Sequence, residues 1–209
     1  LFGAAGDVGS RIAAEAVSRG HEVTGVVRKK EQIDSLPDAI SGQHGNAGDL
    51  ASVTQLTAGQ DLIISAIRPP AGSEHLLPEL TKTILEGAAK TNTRVLIIGG
   101  AASRKVPGLG GHTVLTAPNF LPPSVLDIAR ACQAQYEIII ADTKANWSYF
   151  CPPAMLTPGV RTGQYRLGLD ELVIDANGQS AISMEDFAVA LIDEAEQPKH
   201  IKASFTAAY

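Results

Sequence analysis

The stretch that decides the fold covers residues 1–27 and reads LFGAAGDVGSRIAAEAVSRGHEVTGVV. Gly3, Gly6 and Gly9 precede a segment with the apolar spacing of a short helix, and an apolar strand is predicted over 22–27. The order of strand end, glycine turn, helix and strand predicts a βαβ unit with a phosphate-binding turn. The spacing is GxxGxxG rather than GxGxxG, so the glycines alone do not identify the ligand.

The alternation of strands and helices continues along the chain. Further strands are predicted over 41–46, 61–67, 94–98 and 147–151, and further helices over 29–36, 51–58, 74–90, 124–143 and 184–196. This alternation predicts one α/β domain over residues 1–209, a Rossmann-type doubly wound fold with a mainly parallel sheet and helices on both faces. The chain begins two residues before the glycine turn, so most of the first strand is expected upstream of Leu1.

Composition narrows the class of protein. The 209 residues carry a net charge of −5, and the lysines and arginines are scattered, which argues against nucleic acid or an anionic membrane as partner. No apolar run is long enough to span a bilayer. Cys132 and Cys151 have neither metal-ligand spacing nor the number needed for a disulfide scaffold, so no metal is predicted and the cytoplasm is the expected location.

The glycine turn and the end of the second strand predict the cofactor. The glycines permit a tight turn, a close approach of the pyrophosphate and tight helix packing, while the first N–H groups of the helix face the phosphates. The turn residues expected at the cofactor are Gly3, Ala5, Gly6, Asp7, Val8 and Gly9. The second strand ends in Arg28 and Lys29 rather than in a carboxylate, which favours NADP(H) over NAD(H) because a guanidinium binds the 2′-phosphate. A solvated basic patch at the start of a helix is the alternative.

Two irregular segments follow central strands. The segments at about 101–123 and 152–180 are rich in glycine and proline, and they are expected at the carboxyl edge of the sheet, where open α/β folds bind ligands. They are predicted to form a small substrate-side region. Pro152, Pro153 and Met155 are expected to wall the nicotinamide, and Ser103 and His112 are the polar candidates for assisting catalysis.

Four stretches carry a family resemblance: FGAAGDVGSRIAAEAVSRGHEVTGVVRK, GNAGDL, WSYFCPPAMLTPGVRTGQYRLG and ISMEDFAVALIDEAEQPKHIKASFTAAY. They resemble the atypical short-chain dehydrogenases known as NADH-flavin reductase-like proteins, a group similar to biliverdin reductase B and the NmrA-like proteins. The resemblance implies NADP(H) binding and hydride transfer to a flavin or a related conjugated acceptor. It also implies that Asp49 and Leu50 lie by the adenine and that Ser65 and Ala66 line the cofactor. The alternative for Asp49 is a helix cap.

The chain departs from the family in its catalytic groups. Short-chain dehydrogenases use Tyr-x-x-x-Lys, in which the lysine lowers the pKa of the tyrosine, and no tyrosine of this chain has a lysine four residues later. Gly99-Gly100 and Ala154 stand where biliverdin reductase B has hydroxyl residues and a histidine. These residues favour an acceptor, such as a flavin or a quinone, whose reduction needs little proton transfer from the protein.

Two other functions compete with the reductase. The absence of a general acid is equally compatible with a non-catalytic, NADP(H)-binding, NmrA-like regulator. A sugar-nucleotide epimerase needs the absent Tyr–Lys pair and a larger substrate domain. Arg161 and Arg166 are candidates for an acceptor phosphate, although ion pairs with Asp170 or Glu171 are the expected use of these arginines. The sequence thus predicts a small conjugated acceptor as partner and flavin as a substrate rather than a resident cofactor.

Overall fold

Seven strands form one twisted sheet in the computed structural model, which describes residues 1–209. The structure has nine strands in all: β1 (Val23–Val27), β2 (Ile40–His44), β3 (Leu62–Ser65), β4 (Arg94–Ile98), β5 (Trp147–Cys151), β6 (Met155–Thr157), β7 (Arg166–Gly168), β8 (Ala181–Ser183) and β9 (Ala203–Ala208). β1 pairs with β2, and a second group runs in the order β3-β4-β5-β9-β7. Phe2 joins the two groups, since it bridges Val26 on one side and Ser65 on the other. β6 and β8 form a separate parallel pair.

Five α-helices cover both faces of the sheet: α1 (Asp7–Ser18), α2 (Leu50–Thr57), α3 (Leu77–Thr91), α4 (Leu126–Ala141) and α5 (Met184–Glu196). On one face, Ile12 of α1 and Phe187 of α5 pack in one core with Phe150 of β5. On the other face, Ile84 of α3 and Ile139 of α4 share a core with central strands. The Rossmann-type doubly wound fold is confirmed.

Several boundaries differ from the predicted ones. The segment expected as a helix over 29–36 is a 3₁₀-helix over Lys30–Ser35, and the strand expected over 41–46 is β2, which begins at Ile40. The three short strands β6, β7 and β8 were not expected. β7 runs antiparallel to β9, so the sheet is parallel except at this edge.

The topology defines one ligand-binding edge. β1, β3, β4 and β5 all end at the same edge of the sheet, because the crossovers between them keep the strands parallel. The strand order reverses between Phe2 and β3, which is where doubly wound sheets open a crevice for ligands. No helix in the structure is both long enough and apolar enough to cross a bilayer.

Candidate functional site

The glycine turn is shaped by backbone contacts that exclude side chains. Gly3 has a φ of +83°, and a Cβ at this residue would lie 2.6 Å from the carbonyl oxygen of Ala66. At Gly9 a Cβ would lie 2.0 Å from the carbonyl oxygen of Gly3, whereas at Gly6 the same oxygen is 3.3 Å away. The first and third glycines are therefore required for the close packing of turn, helix and β3. Gly6 is packed less closely, and because it has no side chain, the outer surface of the turn stays accessible to a ligand.

The start of α1 offers unpaired hydrogen-bond donors. Gly6 is the N-cap of α1 and has no side chain to accept from the first turn. The first intrahelical hydrogen bond runs from the Ser10 N–H to the Gly6 carbonyl at 2.8 Å, and the N–H groups of Asp7, Val8 and Gly9 have no acceptor within the chain. Free N–H groups together with the positive end of the helix dipole form a binding site for an anionic group such as a pyrophosphate.

Basic residues stand at the end of β1, beside this turn. Val27 is buried, and Arg28, Lys29 and Lys30 after it are all exposed. The Arg28 guanidinium makes no hydrogen bond and no ion pair within the chain, so all its donors are available to a ligand. His44 at the end of β2 is paired in register with Val27. The arrangement presents positive charge where the 2′-substituent of a bound ribose is expected in this fold.

The Asp49 and Ser65 positions have different surroundings. Asp49 is exposed and is the N-cap of α2, since its Oδ1 accepts from the Ala51 N–H at 3.1 Å. This is the helix-cap role that the sequence left open, and the second carboxylate oxygen stays free for a ligand. Ser65 is buried at the end of β3, and the N–H of the next residue, Ala66, donates to the Phe2 carbonyl at 2.9 Å. Leu50 is half-buried at the first position of α2.

The segment after β5 provides an apolar wall. Cys151 and Pro153 are buried, Pro152 is half-buried, and Met155 is 57% exposed. The backbone here is held by Ser180, whose hydroxyl accepts from the Ala154 N–H at 3.4 Å and whose carbonyl accepts from the Met155 N–H at 2.9 Å. The wall is therefore fixed by a segment about 26 residues away along the chain, an arrangement that local sequence patterns do not reveal.

The two polar candidates for catalysis lie in different environments. Ser103 is half-buried, and its hydroxyl accepts from Arg104 at 3.2 Å. His112 is exposed on the segment between Lys105 and Thr113, which form an antiparallel bridge, and its ring makes no hydrogen bond. The structure does not join Ser103 and His112 in one hydrogen-bonded pair.

No other side chain near the ends of β4 and β5 provides a free proton donor. Tyr149 is fully buried, and its hydroxyl donates to Gln135 Oε1 at 3.0 Å. Burial raises the pKa of Tyr149 well above its ordinary value and raises the pKa of the Cys151 thiol to about 11. Both groups therefore stay protonated at neutral pH, and neither acts as an acid–base catalyst or a thiolate nucleophile.

Several residues that hold the 152–180 segment in place were missed by the sequence analysis. Asp186 is fully buried and accepts from the Thr162 and Gly163 N–H groups at 2.8 and 2.7 Å and from the Tyr209 hydroxyl at 2.7 Å. Ser183 caps α5 through the Asp186 N–H. The Ser–x–x–Asp spacing at the start of a predicted helix indicates a cap, but it does not reveal that the carboxylate also holds the distant 162–163 segment.

The predicted partners of Arg161 and Arg166 were wrong. Arg161 contacts Glu15 of α1 at 2.7 Å rather than Asp170 or Glu171, and burial keeps Glu15 from solvent. Arg166 donates to the carbonyls of Ile174 and Tyr209. Both arginines are used to attach the 152–180 segment to the rest of the domain, because the packing of α1 on α5 brings Glu15 to this segment.

A pocket of the structure lies away from this edge. It measures about 250 Å³ and lies between α5 and the β7–β9 pair, where Asp193 and Glu194 contribute negative charge. Tyr165 closes one side and donates to Asp193 at 2.5 Å. The carboxylates disfavour a phosphate-bearing ligand, so the charge distribution and the free N–H groups place the candidate site at α1 rather than in this pocket.

Comparisons with known proteins agree on the fold, and a family model identifies the ligand class. The family model described as NAD(P)H-binding matches residues 3–198. A Burkholderia pseudomallei structure provisionally named an exported protein is 35% identical, with a TM-score of 0.90 over 100% of this chain and 98% of that one. A Bacteroides thetaiotaomicron structure provisionally named an epimerase is 36% identical, with a TM-score of 0.89 over 100% and 95%. A Streptococcus pneumoniae structure provisionally named an NADH-flavin reductase is 28% identical, with a TM-score of 0.89 over 99% and 96%.

Proposed function

Because this chain belongs to the NAD(P)H-binding family, we propose that it is a reductase that uses NADPH to reduce a flavin, a quinone or a similar conjugated acceptor. The observation that carries the proposal is the set of free N–H groups at the start of α1 with the uncommitted Arg28 at the end of the next strand. These groups fit a pyrophosphate and a 2′-phosphate. The nicotinamide, when bound, supplies the hydride.

The residues of this chain have mainly binding and orienting roles. The turn residues Gly3 to Gly9 hold the pyrophosphate, and Arg28 and Lys29 hold the 2′-phosphate. The free oxygen of Asp49 accepts from the adenine amino group, while Leu50, Ser65 and Ala66 line the cofactor. Pro152 and Pro153 form the wall against which the nicotinamide ring is oriented, so that the acceptor approaches from the side of the 101–123 segment.

The acceptor class follows from the acid–base groups at this edge. Tyr149 and Cys151 remain protonated and buried, and the exposed His112 is not held by any partner. Reduction of a simple carbonyl needs a positioned acid, whereas a flavin or quinone stabilises the added electrons in its own ring system and takes its proton from water. We therefore propose flavin or quinone as substrate, with Ser103 and His112 as assisting groups.

The experiment is a comparison of binding and turnover. NADPH and NADH affinities are measured by calorimetry, and absorbance at 340 nm is then followed with FMN, riboflavin and menadione. We expect tighter binding of NADPH and oxidation by at least one acceptor. Tight NADPH binding with no oxidation by any of the three contradicts the reductase and favours the NADP(H)-binding regulator. Equal affinity for NADH contradicts the role of Arg28.

The location of the activity is part of the same proposal. Both cysteines are free thiols buried in the core, as expected for a protein of the reducing cytoplasm. The Burkholderia relative carries a name that says exported, so fractionation of cells that express the full-length protein is the test. Recovery outside the cytoplasm contradicts this part of the proposal.

A further inference from the structure

A buried arginine lies beneath the segment that follows β4. Arg104 is only 1% exposed, although it belongs to an irregular segment between a strand and a helix. A guanidinium stays charged at every pH at which the protein is folded. The structure therefore contains a permanent positive charge inside the acceptor-side region.

The contacts of Arg104 contain no negative charge. Its two terminal nitrogens donate to the Leu169 carbonyl, to Ser103 Oγ at 3.2 Å and to Ser204 Oγ at 3.0 Å. Its guanidinium lies 5.4 Å from the centre of the Tyr136 ring. All ten ion pairs of the protein involve other cations. Burying a charge without a counter-charge lowers the stability of the folded protein. Binding of an anion here would therefore stabilise the fold.

Two buried polar atoms of this region have no partner. They are the Arg104 Nε and the Thr206 Oγ1, both buried, and Thr206 is fully buried. Arg104 reaches Ser204, and Thr206 follows two residues later on β9, so the two hydroxyl residues face the same side of the sheet. Cys151 is opposite Thr206 in register, and it stays a neutral thiol because burial raises its pKa to about 11. The cation therefore has neutral hydrogen-bond acceptors and the Tyr136 ring as neighbours, but no acidic partner.

We propose that Arg104 and Thr206 form a binding site for a carboxylate group. A carboxylate supplies the missing negative charge, and its two oxygens accept from the unpaired Arg104 Nε–H and the unpaired Thr206 hydroxyl. Because the site is buried, an anion can reach it only when the surrounding chain, which includes Leu169 at the guanidinium, moves. The carboxylate is either a small free anion or part of the acceptor, and the second source rests on the proposed reductase function.

The test uses formate as the probe and thermal unfolding as the readout, in the presence of NADPH and at an ionic strength held constant with sodium chloride. Formate at ten times its Kd is expected to raise the Tm of the wild-type protein by about 3–6 °C. The Arg104→Leu variant is expected to show no such rise, because it lacks both the charge and the Nε–H group that bind the anion.

Two further variants keep the test decisive. Thr206→Val removes the unpaired hydroxyl and keeps the shape of the side chain, so it is expected to reduce the formate-induced shift even if Arg104→Leu does not fold. Arg130→Leu removes an arginine whose side chain is 66% exposed, and it is expected to leave the formate-induced shift unchanged. A formate shift of the same size in wild type, Arg104→Leu and Thr206→Val overturns the site, and so does the absence of any shift in the wild type.

A second measurement separates the two sources of the carboxylate. Menadione and a naphthoquinone that carries a carboxylate are compared as acceptors by absorbance at 340 nm. If the carboxylate belongs to the acceptor, the charged quinone has the lower KM, formate competes with it, and Arg104→Leu removes the difference. If formate shifts the Tm but competes with neither quinone, the site takes a free anion. The formate-induced rise in Tm requires no turnover, so it is expected even if the protein is not a reductase.

Discussion

The two sides of the ligand-binding edge are held together in different ways. The cofactor side is built by neighbours in sequence: Gly9 packs on Gly3, and the free N–H groups of α1 follow within the same ten residues. The acceptor side is built by distant pairs: Arg161 contacts Glu15, and Asp186 holds Thr162. Sequence patterns detect the first kind of site, whereas the second depends on the completed fold. Replacing an exposed, ligand-facing side chain on the cofactor side should therefore impair binding without loss of stability, whereas replacing a side chain that holds the acceptor side together should first impair stability.

The Gly9→Ala substitution has the largest expected effect and tests the cofactor side. The new Cβ would lie 2.0 Å from the Gly3 carbonyl oxygen, so the turn must move. We expect a loss of about 3 kcal/mol in the free energy of unfolding and no measurable NADPH binding, measured by urea unfolding and calorimetry. Gly6→Ala is the matched control for the loss of stability, because its Cβ would be 3.3 Å from the same oxygen. Wild-type NADPH affinity in the Gly9→Ala variant would contradict the assignment of the glycine turn as the pyrophosphate-binding site.

The Asp186→Asn substitution tests the acceptor side. The amide cannot accept all the hydrogen bonds that converge on the carboxylate, and we expect a loss of about 2 kcal/mol in the free energy of unfolding. Asp175→Asn is the control, since Asp175 also accepts hydrogen bonds from backbone N–H groups in the same region but is half-buried rather than fully buried. An equal loss in both variants would show that burial of the carboxylate is irrelevant.

The pH dependence gives Asp186 a second test. Burial raises the pKa of Asp186, but hydrogen bonds from Thr162, Tyr209 and Gly163 together lower it below its ordinary value of 3.8. A carboxyl whose pKa is lower in the folded state stabilises the fold above the unfolded pKa, and this contribution is lost as the pH falls through the folded pKa. Between pH 7 and pH 3, the stability difference between wild type and Asp186→Asn is therefore expected to shrink only below pH 3.8.

The Arg28→Glu substitution is expected to change affinity without changing stability, which sharpens the contrast between the two sides. The exposed guanidinium has no partner to lose in the free protein. We expect NADPH to bind about 10–100-fold more weakly, as estimated for the loss of a charged hydrogen bond, with NADH affinity retained. Calorimetry with both nucleotides is the measurement, and Lys30→Glu controls for the general change of charge. Unchanged preference for NADPH in Arg28→Glu would disprove the assignment.

The smallest expected effects come from Asp49. Asp49→Ala removes the cap of α2 and is expected to lower the free energy of unfolding by about 1 kcal/mol. Asp49→Asn keeps the cap, because asparagine is an equally good N-cap residue, and changes only the oxygen available to adenine. A fall in NADPH affinity in the asparagine variant at unchanged stability isolates the adenine contact. No change in affinity in either variant leaves Asp49 with the cap alone.

The sequence predicts the central elements and misses those that depend on distant partners. β4, β5 and α5 begin and end at the predicted residues, because each is a continuous apolar run or an amphipathic pattern. β6 and β8 have three residues each and exist through pairing with each other. The glycine turn is local and was foreseen, whereas an arginine in an irregular segment, such as Arg104, has no pattern that distinguishes a buried residue from a solvated one.

Gly99 limits how this protein can change in evolution. A Cβ at this residue would lie 1.9 Å from the hydroxyl oxygen of Tyr149, so serine or threonine is excluded while the tyrosine is present. To gain a hydroxyl residue at the end of β4, the protein must first replace Tyr149 by a smaller residue. That intermediate would have a cavity in the core. Lineages that keep Tyr149 are expected to keep Gly99, and the two positions should vary together or not at all.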